Sequence, residues 1–355
     1  MWKMKKFSKA DLFDMEKMIQ EYYGDIEISK DIFLKHQYFF NPAGNALIKL
    51  AYDFEKCILA GQYVTIPMKV RIWEQEYNAI LSLNTLTRES YKGQKIFTTL
   101  ANTMFTECED SDIQFCYGVP NPNSHWGFIN KLRFNELGNV PLYIRILSPS
   151  QLVKHKLHNG VLSQICKPFN FFFHVKEKYD NNYKIIDIQK DNLDMISDFW
   201  ELIKNKYPII VSRNKDFIAW RYLDIPLKKY TVQMVLEHEK PVGYAVQRIT
   251  YINNIKCGMI TDFMIIGGKK EAGSFLINHI TRTFFENGVE LSGCLMQQHF
   301  EEAEILKKEG YFICPRFLEP QPFPVILRTF NTEIQKSGVL DFQNWFFTMG
   351  DYDAI

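Results

Sequence analysis

The hydrophobic pattern changes its period within residues 80–105. Residues 80–86 form a mostly apolar run of the length that is typical of a buried strand, whereas apolar residues recur at helical spacing over 96–105. The pattern predicts a strand that passes through a short basic loop directly into a helix. Backbone N–H groups at the start of such a helix, together with the positive end of the helix dipole, favour a bound anion such as phosphate. An ordinary strand-to-helix turn with exposed lysines is the other interpretation.

The same kind of pattern predicts one order of elements twice along the chain. Each half begins with helices, continues with an antiparallel meander, and ends with a strand, a helix and further strands. In the first half, Ser124 is the predicted N-cap of the helix after the loop 120–123. The predicted strands are 46–52, 56–67, 76–86, 113–119 and 140–147 in the first half, and 184–188, 231–236, 242–251, 256–266 and 291–296 in the second. Predicted helices of the second half are 193–203, 216–222 and 274–285.

Short sequence matches support a repeat. FLKHQYFFNP ends at Pro42 and FIAWRYLDIP ends at Pro226, 184 positions later. VPLYIR and FPVILR place Arg145 and Arg328 183 positions apart. Offsets that stay nearly constant at anchors in the same order indicate a duplicated domain.

The length of 355 residues suits two domains of roughly 150 residues each. The apolar segment Trp345, Phe346 and Phe347 near the end should pack on the body of the protein. His155 and His158 could share a helical face, but no third ligand is nearby in sequence, so we predict no metal site. The predicted organisation is an N-terminal domain 1–150, a linker 151–182, a C-terminal domain 183–330 and a docked tail 331–355.

Composition removes several classes of protein. The 42 basic and 41 acidic residues give a net charge of +1, which argues against a nucleic-acid partner. The seven cysteines are scattered without a CxxC pair, a usage typical of free thiols in a reducing compartment. No apolar run approaches the roughly 18 residues of a membrane span. We therefore expect a cytoplasmic protein that neither crosses a membrane nor binds nucleic acid.

The order of elements and the loop YKGQKI resemble the GNAT superfamily of acyl-CoA N-acyltransferases, over most of both halves. The resemblance implies an α+β (α/β) fold of two tandem GNAT-like domains, each with a mixed, mostly antiparallel sheet flanked by helices. In that family the loop reads Gln or Arg, two variable residues, Gly, one variable residue, then Gly or Ala, and its backbone amides hold the pyrophosphate of coenzyme A. The corresponding positions, which the resemblance implies bind acetyl-CoA, are Lys92, Gly93, Gln94, Lys95, Ile96 and Phe97.

This loop departs from the family pattern at two positions. Lys95 and Phe97 stand where small residues are expected, and glycine normally allows the backbone to approach a phosphate closely. Lys92 keeps the positive charge of the first position, and a lysine side chain can itself bind phosphate. The loop is therefore interpreted as altered but still able to bind the cofactor.

The resemblance also implies where the acyl group lies. In this fold the fourth and fifth strands splay apart, and the thioester is expected there, held by backbone groups near Leu86 and Thr87, with Asn123 at the pantetheine arm. The family's general-acid tyrosine corresponds to Ile129, and no carboxylate lies on the fourth strand between Asn78 and Thr87. An attacking amine must still lose a proton, and His125 is the candidate base. A surface histidine in the first turn of a helix is the alternative.

The second half carries a different cluster. Its loop 267–273 lacks the family spacing, and Glu271 would repel a phosphate. The first half is therefore expected to bind coenzyme A, and the second half to bind substrate or to form a homodimer. Arginine can grip a phosphate or carboxylate and an aromatic ring can stack on a sugar or base, whereas the alternative is that the aromatic residues are core and the arginines solvated. The predicted substrate-binding residues are Arg213, Trp220, Arg221 and Tyr222.

A WRY-like segment, the altered loop and the tail WFFTMGDYD are similar to acetyltransferases associated with bacterial surface-polysaccharide synthesis. This resemblance implies N-acetyl transfer from acetyl-CoA to a small-molecule primary amine, with an amino sugar, including a nucleotide-linked one, as the favoured acceptor. A Fem-type aminoacyltransferase that uses aminoacyl-tRNA is a second interpretation, against which the low net charge and the lack of a long basic coiled-coil insertion count. A non-catalytic binding protein is a third, which the missing tyrosine and glutamate favour.

Overall fold

A computed structural model of the chain describes residues 1–157, 173–316 and 318–352. Its helices, in chain order, are α1 (Leu12–Tyr23), α2 (Asp31–Phe39), α3 (Ile96–Glu109), α4 (Pro122–Leu132), α5 (Pro149–Leu157), α6 (Asp194–Ile203), α7 (Lys215–Ile218), α8 (Lys270–Glu286), α9 (Glu301–Lys308) and α10 (Thr332–Lys336). Its strands are β1 (Trp2–Lys5), β2 (Leu47–Asp53), β3 (Ile58–Ile72), β4 (Gln75–Thr87), β5 (Ile113–Gly118), β6 (Asn135–Asn139), β7 (Leu142–Ile146), β8 (Tyr183–Ile188), β9 (Ile209–Val211), β10 (Thr231–Glu237), β11 (Lys240–Ile252), β12 (Ile255–Ile265), β13 (Leu291–Leu295), β14 (Phe312–Ile313), β15 (Pro324–Thr329) and β16 (Trp345–Phe346).

The chain divides into two compact units, and each unit draws on segments that are distant in sequence. The units combine segments of the chain differently from the predicted contiguous domains 1–150 and 183–330. Those domain boundaries stay a prediction. Unit 1 contains Met1–Asn139, Tyr207–Lys228 and Gln321–Trp345, and unit 2 contains Val140–Lys206, Lys229–Pro320 and Phe346–Ile355.

Each unit is built on a mixed, mostly antiparallel sheet flanked by helices, which confirms the predicted fold class. The strand order is β1-β2-β3-β4-β5-β15-β6 in unit 1, where β9 also pairs with β3, and β14-β7-β13-β12-β11-β10-β8 in unit 2. The parallel pairs are β4 with β5 and β12 with β13. A helix connects the strands of each parallel pair, α3 in unit 1 and α8 in unit 2, as parallel strands require.

Two strands pair in a different sheet from the one that the predicted halves assign to them. The strand predicted at 140–147 was expected to end the first half, but β7 pairs with β13 and β14 in unit 2. In return, β15 lies between β5 and β6 in unit 1. The sequence pattern predicts both strands because residue alternation shows that a strand forms. It cannot predict this exchange because the pattern carries no information about the partner strand.

The helix α3 covers one face of the unit 1 sheet with the apolar stripe that its sequence predicts. Leu100, Ala101 and Met104 on this stripe are fully buried. Below them, the ring of Phe105 meets that of Tyr63 edge-on at 5.8 Å between centroids. This packing fixes the start of α3 relative to β3, and the loop before α3 is therefore carried on a rigid support.

Candidate functional site

The strands β4 and β5 separate part of the way along their length. Their parallel register runs from Asn78 opposite Ile113 to Leu81 opposite Tyr117, whereas β4 continues to Thr87. Among the strands described here, none pairs with residues 82–87 on the edge that faces β5. The backbone of this stretch, which includes Leu86 and Thr87, can therefore meet a ligand.

The loop before α3 carries the backbone N–H groups that open the helix, and of its residues Lys92 and Gln94 donate to the carbonyls of Glu89 and Tyr91. Gly93 and Lys95 both have left-handed backbones, with φ of +81° and +60°. Residues 92–95 are exposed, and α3 starts at Ile96 with neither a side-chain cap nor an acidic residue in its first turn. The first N–H groups of a helix lack partners within the helix, and turns of this kind form anion-binding concavities. This geometry supports an anion site at the predicted position.

Two anchors hold this loop to the sheet. The Tyr91 hydroxyl donates a hydrogen bond of 2.8 Å to Asp53 Oδ2 on β2. Arg88 Nε donates to the Leu59 carbonyl at 2.6 Å, and the same guanidinium pairs with Glu21. The hydrogen bond from Tyr91 lowers the pKa of the Asp53 carboxyl below its ordinary value. The loop conformation is thus held by its N-terminal flank.

The two departures from the family pattern have a structural explanation. Lys95 itself adopts the left-handed conformation that favours glycine. The ring of Phe97 packs on α4, where a Cβ added at Gly127 would come within 3.0 Å of the ring. Ile96 packs on Gly61 of β3 in the same way, at 2.6 Å from a Cβ added there. Glycines on neighbouring elements therefore make room for both bulky side chains.

Charge on the loop is shared between Lys92, Lys95 and Glu89. Lys92 Nζ lies 2.5 Å from Glu89 Oε2, and this hydrogen bond raises the pKa of the lysine. Both side chains are largely exposed, so the ion pair is weak and a phosphate can compete with Glu89 for the lysine. Gln94 is exposed and its amide lies 3.5 Å from the Ser90 carbonyl.

The helix α4 follows β5 and begins near the same region. Its N-cap is Asn121, whose side chain accepts from the backbone of Asn123 and Ser124. The predicted cap at Ser124 is therefore wrong: Asn121 is the extended residue before Pro122, and Ser124 already lies in the first turn. Asn123 is exposed, and its backbone N–H donates to Asn121 Oδ1 in this capping bond.

His125 forms an acid–base pair that sequence reasoning missed. His125 Nε2 lies 2.8 Å from Glu136 Oε2 on β6. Because a carboxylate only accepts hydrogen bonds, the proton of a neutral His125 belongs on Nε2, which leaves Nδ1 as the acceptor. The His125 ring is partly exposed. His125 precedes Gly127, the residue that packs on Phe97, by two positions. The start of α3 therefore packs on the middle of α4.

The predicted substrate-binding residues lie in unit 1, not in unit 2. Arg213, Trp220 and Tyr222 surround Phe217, with the Arg213 guanidinium carbon 5.0 Å from the Phe217 ring centroid. Trp220, Arg221 and Tyr222 lie on a π-helical turn, Ala219–Leu223, a feature that is frequent at functional sites. All four predicted residues are at least nine-tenths buried. A role in substrate binding stays a prediction.

Sequence positions that the repeat aligns contact each other at this cluster. His36 on α2 and Trp220 are 184 positions apart, and their rings stack with centroids 6.2 Å apart. His36 Nε2 lies 2.9 Å from the Trp220 carbonyl, and Trp220 Nε1 donates to the His36 carbonyl at 3.4 Å. The cluster therefore packs against α2.

The corresponding loop of unit 2 is already occupied by acidic side chains. The Gly268 N–H faces both carboxylate oxygens of Glu301, at 3.3 and 3.4 Å. Lys270 pairs with Glu304 at 2.5 Å, and Glu271 stands in the first turn of α8. Gly268 has φ of +79°, close to that of Gly93. The two loops thus share a left-handed glycine, but Lys269 before α8 lacks the left-handed backbone of Lys95, and carboxylates already face the unit 2 loop.

The tail of the chain lies where the unit 2 strands separate. The parallel register of β12 and β13 ends at Ile260 opposite Cys294, and β12 continues to Ile265. Beyond that point Thr348 Oγ1 donates to Asp262 Oδ1 at 3.1 Å, and the Phe347 N–H donates to Gln297 Oε1 at 3.0 Å. Asp262 is on β12 and Gln297 follows β13, so residues 347–348 contact both diverging segments.

The fold of the chain is similar to that of GNAT-type proteins of known structure. No family model matches its sequence, and no curated protein matches it either. A GCN5-related N-acetyltransferase from Anabaena variabilis aligns with 93% of this chain and 73% of its own, at 13% identity and a TM-score of 0.62. A probable N-acyltransferase from Enterococcus faecalis aligns over the same shares, at 11% identity and a TM-score of 0.62.

N-myristoyltransferase from Saccharomyces cerevisiae, with bound myristoyl-CoA, is also similar. It aligns with 92% of this chain and 82% of its own, at 11% identity and a TM-score of 0.64. Identities this low show a shared fold. Within the described residues, no helix is long and apolar enough to cross a membrane, and no group of His, Cys, Asp or Glu is placed to hold a metal. The His155 side chain and His158 lie outside the described part.

Proposed function

We propose that the protein transfers an acetyl group from acetyl-CoA to a primary amine, with an amino sugar, free or nucleotide-linked, as the acceptor class. One observation carries the proposal: unit 1 holds an open, basic loop at the start of α3, beside a β4 edge that has no β5 partner. That loop suits a pyrophosphate and that edge suits a thioester carbonyl. The GNAT-type fold supports the same chemistry.

Different residues of unit 1 contact different parts of the cofactor. The N–H groups from Gly93 to Phe97 and the side chains of Lys92 and Lys95 hold the pyrophosphate. The pantetheine arm follows the free edge of β4 towards Leu86 and Thr87, with Asn123 at the start of α4 beside it. Backbone N–H groups of that edge stabilise the negative charge that develops on the thioester oxygen.

The amine attacks the thioester carbonyl carbon directly. The C–N bond forms, the C–S bond breaks, and the coenzyme leaves as a thiolate that takes up a proton. The amine gives up one proton, which His125 Nδ1 accepts while Glu136 holds the other ring nitrogen. The cluster of Arg213, Trp220, Arg221 and Tyr222 shapes the acceptor side of unit 1.

A thiol-release assay tests this proposal. Purified full-length protein is incubated with acetyl-CoA and a panel that contains UDP-linked amino sugars, D-glucosamine, aminoglycosides, spermidine and L-lysine. We expect turnover with amino sugars and formation of an amide product by mass spectrometry. If acetyl-CoA binds and no amine is consumed, the proposal is wrong and a non-catalytic binding protein is the better interpretation.

A further inference from the structure

The free edge of β4 contains a β-bulge. The register with β3 pairs Gln62 with Leu86 but Val64 with Leu83, so Asn84 and Thr85 together oppose a single β3 residue. Asn84 has a left-handed backbone, with φ of +47°. Asparagine tolerates this conformation better than most residues, and bulges of this kind re-aim backbone and side-chain groups next to active sites.

Three nearly fully buried side chains hold this bulge. Gln62 Nε2 donates to the Asn84 carbonyl at 2.9 Å. Asn84 Nδ2 donates to the Tyr38 hydroxyl at 2.8 Å and lies 3.5 Å from Gln37 Oε1. Tyr38 is 0%, Gln62 1% and Gln37 4% exposed, whereas Asn84 is partly exposed. The bulge is therefore clamped from the α2 side of the sheet.

One atom of this clamp lacks a hydrogen-bond partner. Gln62 Oε1 is buried and has no donor among the described residues. Its orientation is fixed because only the amide nitrogen can donate to the Asn84 carbonyl, so exchanging the two amide atoms would set two acceptors against each other. A buried acceptor without a donor is costly unless a ligand or water supplies the hydrogen bond.

The two faces of the sheet at this point carry different elements. Tyr63, between Gln62 and Val64, packs on α3. Gln62 and Asn84 instead contact α2 through the clamp. The loop that suits the cofactor leads into α3, so a second ligand that meets the thioester from the α2 side comes next to the bulge.

We propose that Gln62 Oε1 accepts a hydrogen bond from the N–H of the attacking amine and that the Asn84 bulge forms the floor of the acceptor-amine subsite. This inference rests on the proposed function. The unpaired oxygen requires a hydrogen-bond donor, and under the proposed function the donor that reaches the thioester is a primary amine. Gln62 therefore positions the nucleophile through Oε1 and the bulge through Nε2, whereas Tyr38 and Gln37 position only the bulge.

Steady-state kinetics of Gln62→Met tests the subsite. The amines used are D-glucosamine, spermidine and L-lysine with acetyl-CoA, and the one that the wild type consumes fastest is titrated. We expect the KM for the amine to rise about tenfold, as the loss of one hydrogen bond to a charged or strongly polar group predicts, with the KM for acetyl-CoA unchanged. Methionine replaces the orphaned acceptor with an apolar group of similar length, so the variant is expected to fold.

Gln247→Met is the matched control. Gln247 on β11 of unit 2 also has a buried Oε1 without a donor among the described residues, and its Nε2 donates to Gln233 at 3.0 Å. Its removal should leave the KM for the amine unchanged. Asn84→Gly keeps the left-handed backbone but removes the bond to Tyr38, and it should lower kcat more than it raises KM.

The outcomes separate the two proposals. If the wild type consumes no amine, the proposed function and this subsite are both wrong. If the wild type turns over and Gln62→Met keeps the wild-type KM for the amine, or shifts the KM for acetyl-CoA equally, only the subsite is wrong. A water that satisfies Gln62 Oε1 permanently would give that second result.

Discussion

The loop before α3 in unit 1 and the loop before α8 in unit 2 each contain a left-handed glycine, but they differ in the acidic side chains that face them. Gly93 and Gly268 have φ values of +81° and +79°. The unit 1 helix starts without a cap or an acidic residue, whereas Glu301 faces the Gly268 N–H and Glu271 stands in the first turn of α8. A helix start after a left-handed glycine is therefore common to both units, and the acidic side chains around it separate the loop that can take an anion from the one that cannot.

The gaps between the separating strands, β4 from β5 and β12 from β13, also differ between the two units. In unit 1 the edge of β4 over residues 82–87 has no β5 partner in the described chain. In unit 2 the tail contacts both diverging segments, through Thr348 to Asp262 and through Phe347 to Gln297. The tail of unit 2 thus lies at the gap whose counterpart in unit 1 is open.

The largest expected effect comes from reversing charge on the unit 1 loop. Lys92→Glu with Lys95→Glu removes two cations from the anion site and adds repulsion, so the Kd for acetyl-CoA should rise about 100-fold, measured by calorimetry. The matched control is Lys269→Glu with Lys270→Glu, which should change that Kd less than about twofold. Equal weakening of acetyl-CoA binding by the two double variants would contradict the assignment of the cofactor to the unit 1 loop.

Alanine at the paired glycines separates strain from binding. Gly93→Ala and Gly268→Ala place a Cβ in open space on left-handed backbones, so each should lower the free energy of unfolding by about 1 kcal/mol. Only Gly93→Ala should weaken acetyl-CoA binding, by about tenfold, because relaxation of its backbone turns the N–H groups of the unit 1 loop. Denaturant unfolding and calorimetry measure the two effects, and equal loss of binding would contradict the account.

A smaller effect is expected from the loop anchor. Tyr91→Phe removes the hydrogen bond to Asp53 Oδ2 and should raise the Kd for acetyl-CoA about threefold at neutral pH, because one hydrogen bond contributes about 1 kcal/mol. Leu59, on the neighbouring strand, still accepts from Arg88, so the loop should keep most of its order.

The stability effect of this anchor should depend on pH. The pKa of Asp53 is lower in the folded protein than its ordinary 3.8, so its contribution is complete above pH 3.8 and is lost as the pH falls through the lower folded value. Wild type should therefore be more stable than Tyr91→Phe at pH 7, and the difference should shrink below pH 3.8. Urea unfolding of both proteins at pH 7 and below pH 3.8 measures the difference in stability. A difference that grows in acid would refute the assigned role of the hydrogen bond.

The smallest effect is expected from opening the unit 2 loop. Glu301→Gln weakens the contact with Gly268 N–H and the interaction with the start of α8, and should lower the free energy of unfolding by about 0.5 kcal/mol. Acetyl-CoA binding should not change, because Glu271 and the tail remain. A second binding event in calorimetry would show that Glu301 alone separates the two units.

The sequence predicts the elements well because period and length are local properties. The predicted strand 76–86 matches β4 to within a residue at each end, and the helical stripe 96–105 begins where α3 begins but ends four residues before it. Strand exchange was not predictable, because the alternation in β7 and β15 does not identify the sheets to which they pair. The loop position followed from the family pattern, whereas the fit of Phe97 against Gly127 depends on a contact between elements distant in sequence.

Much of the candidate site depends on residues without a sequence signal. Glu136 reaches His125 from a strand that periodicity did not predict, and Gln62 is polar within a buried strand for a reason that only the bulge explains. Asn84 was the one available hint, since asparagine in a strand favours left-handed backbone. Arg213 and Trp220 were expected in the second domain but lie in unit 1 because chain order does not determine unit membership.

Hydrogen–deuterium exchange with and without coenzyme A tests most directly whether unit 1 alone holds the cofactor. At saturating coenzyme A, the account predicts at least about tenfold slower exchange for the amides of residues 93–98 and unchanged exchange for residues 267–272, because bound phosphate oxygens protect only the N–H groups that they contact. Protection of residues 267–272, or no protection at 93–98 while the cofactor binds, would contradict it.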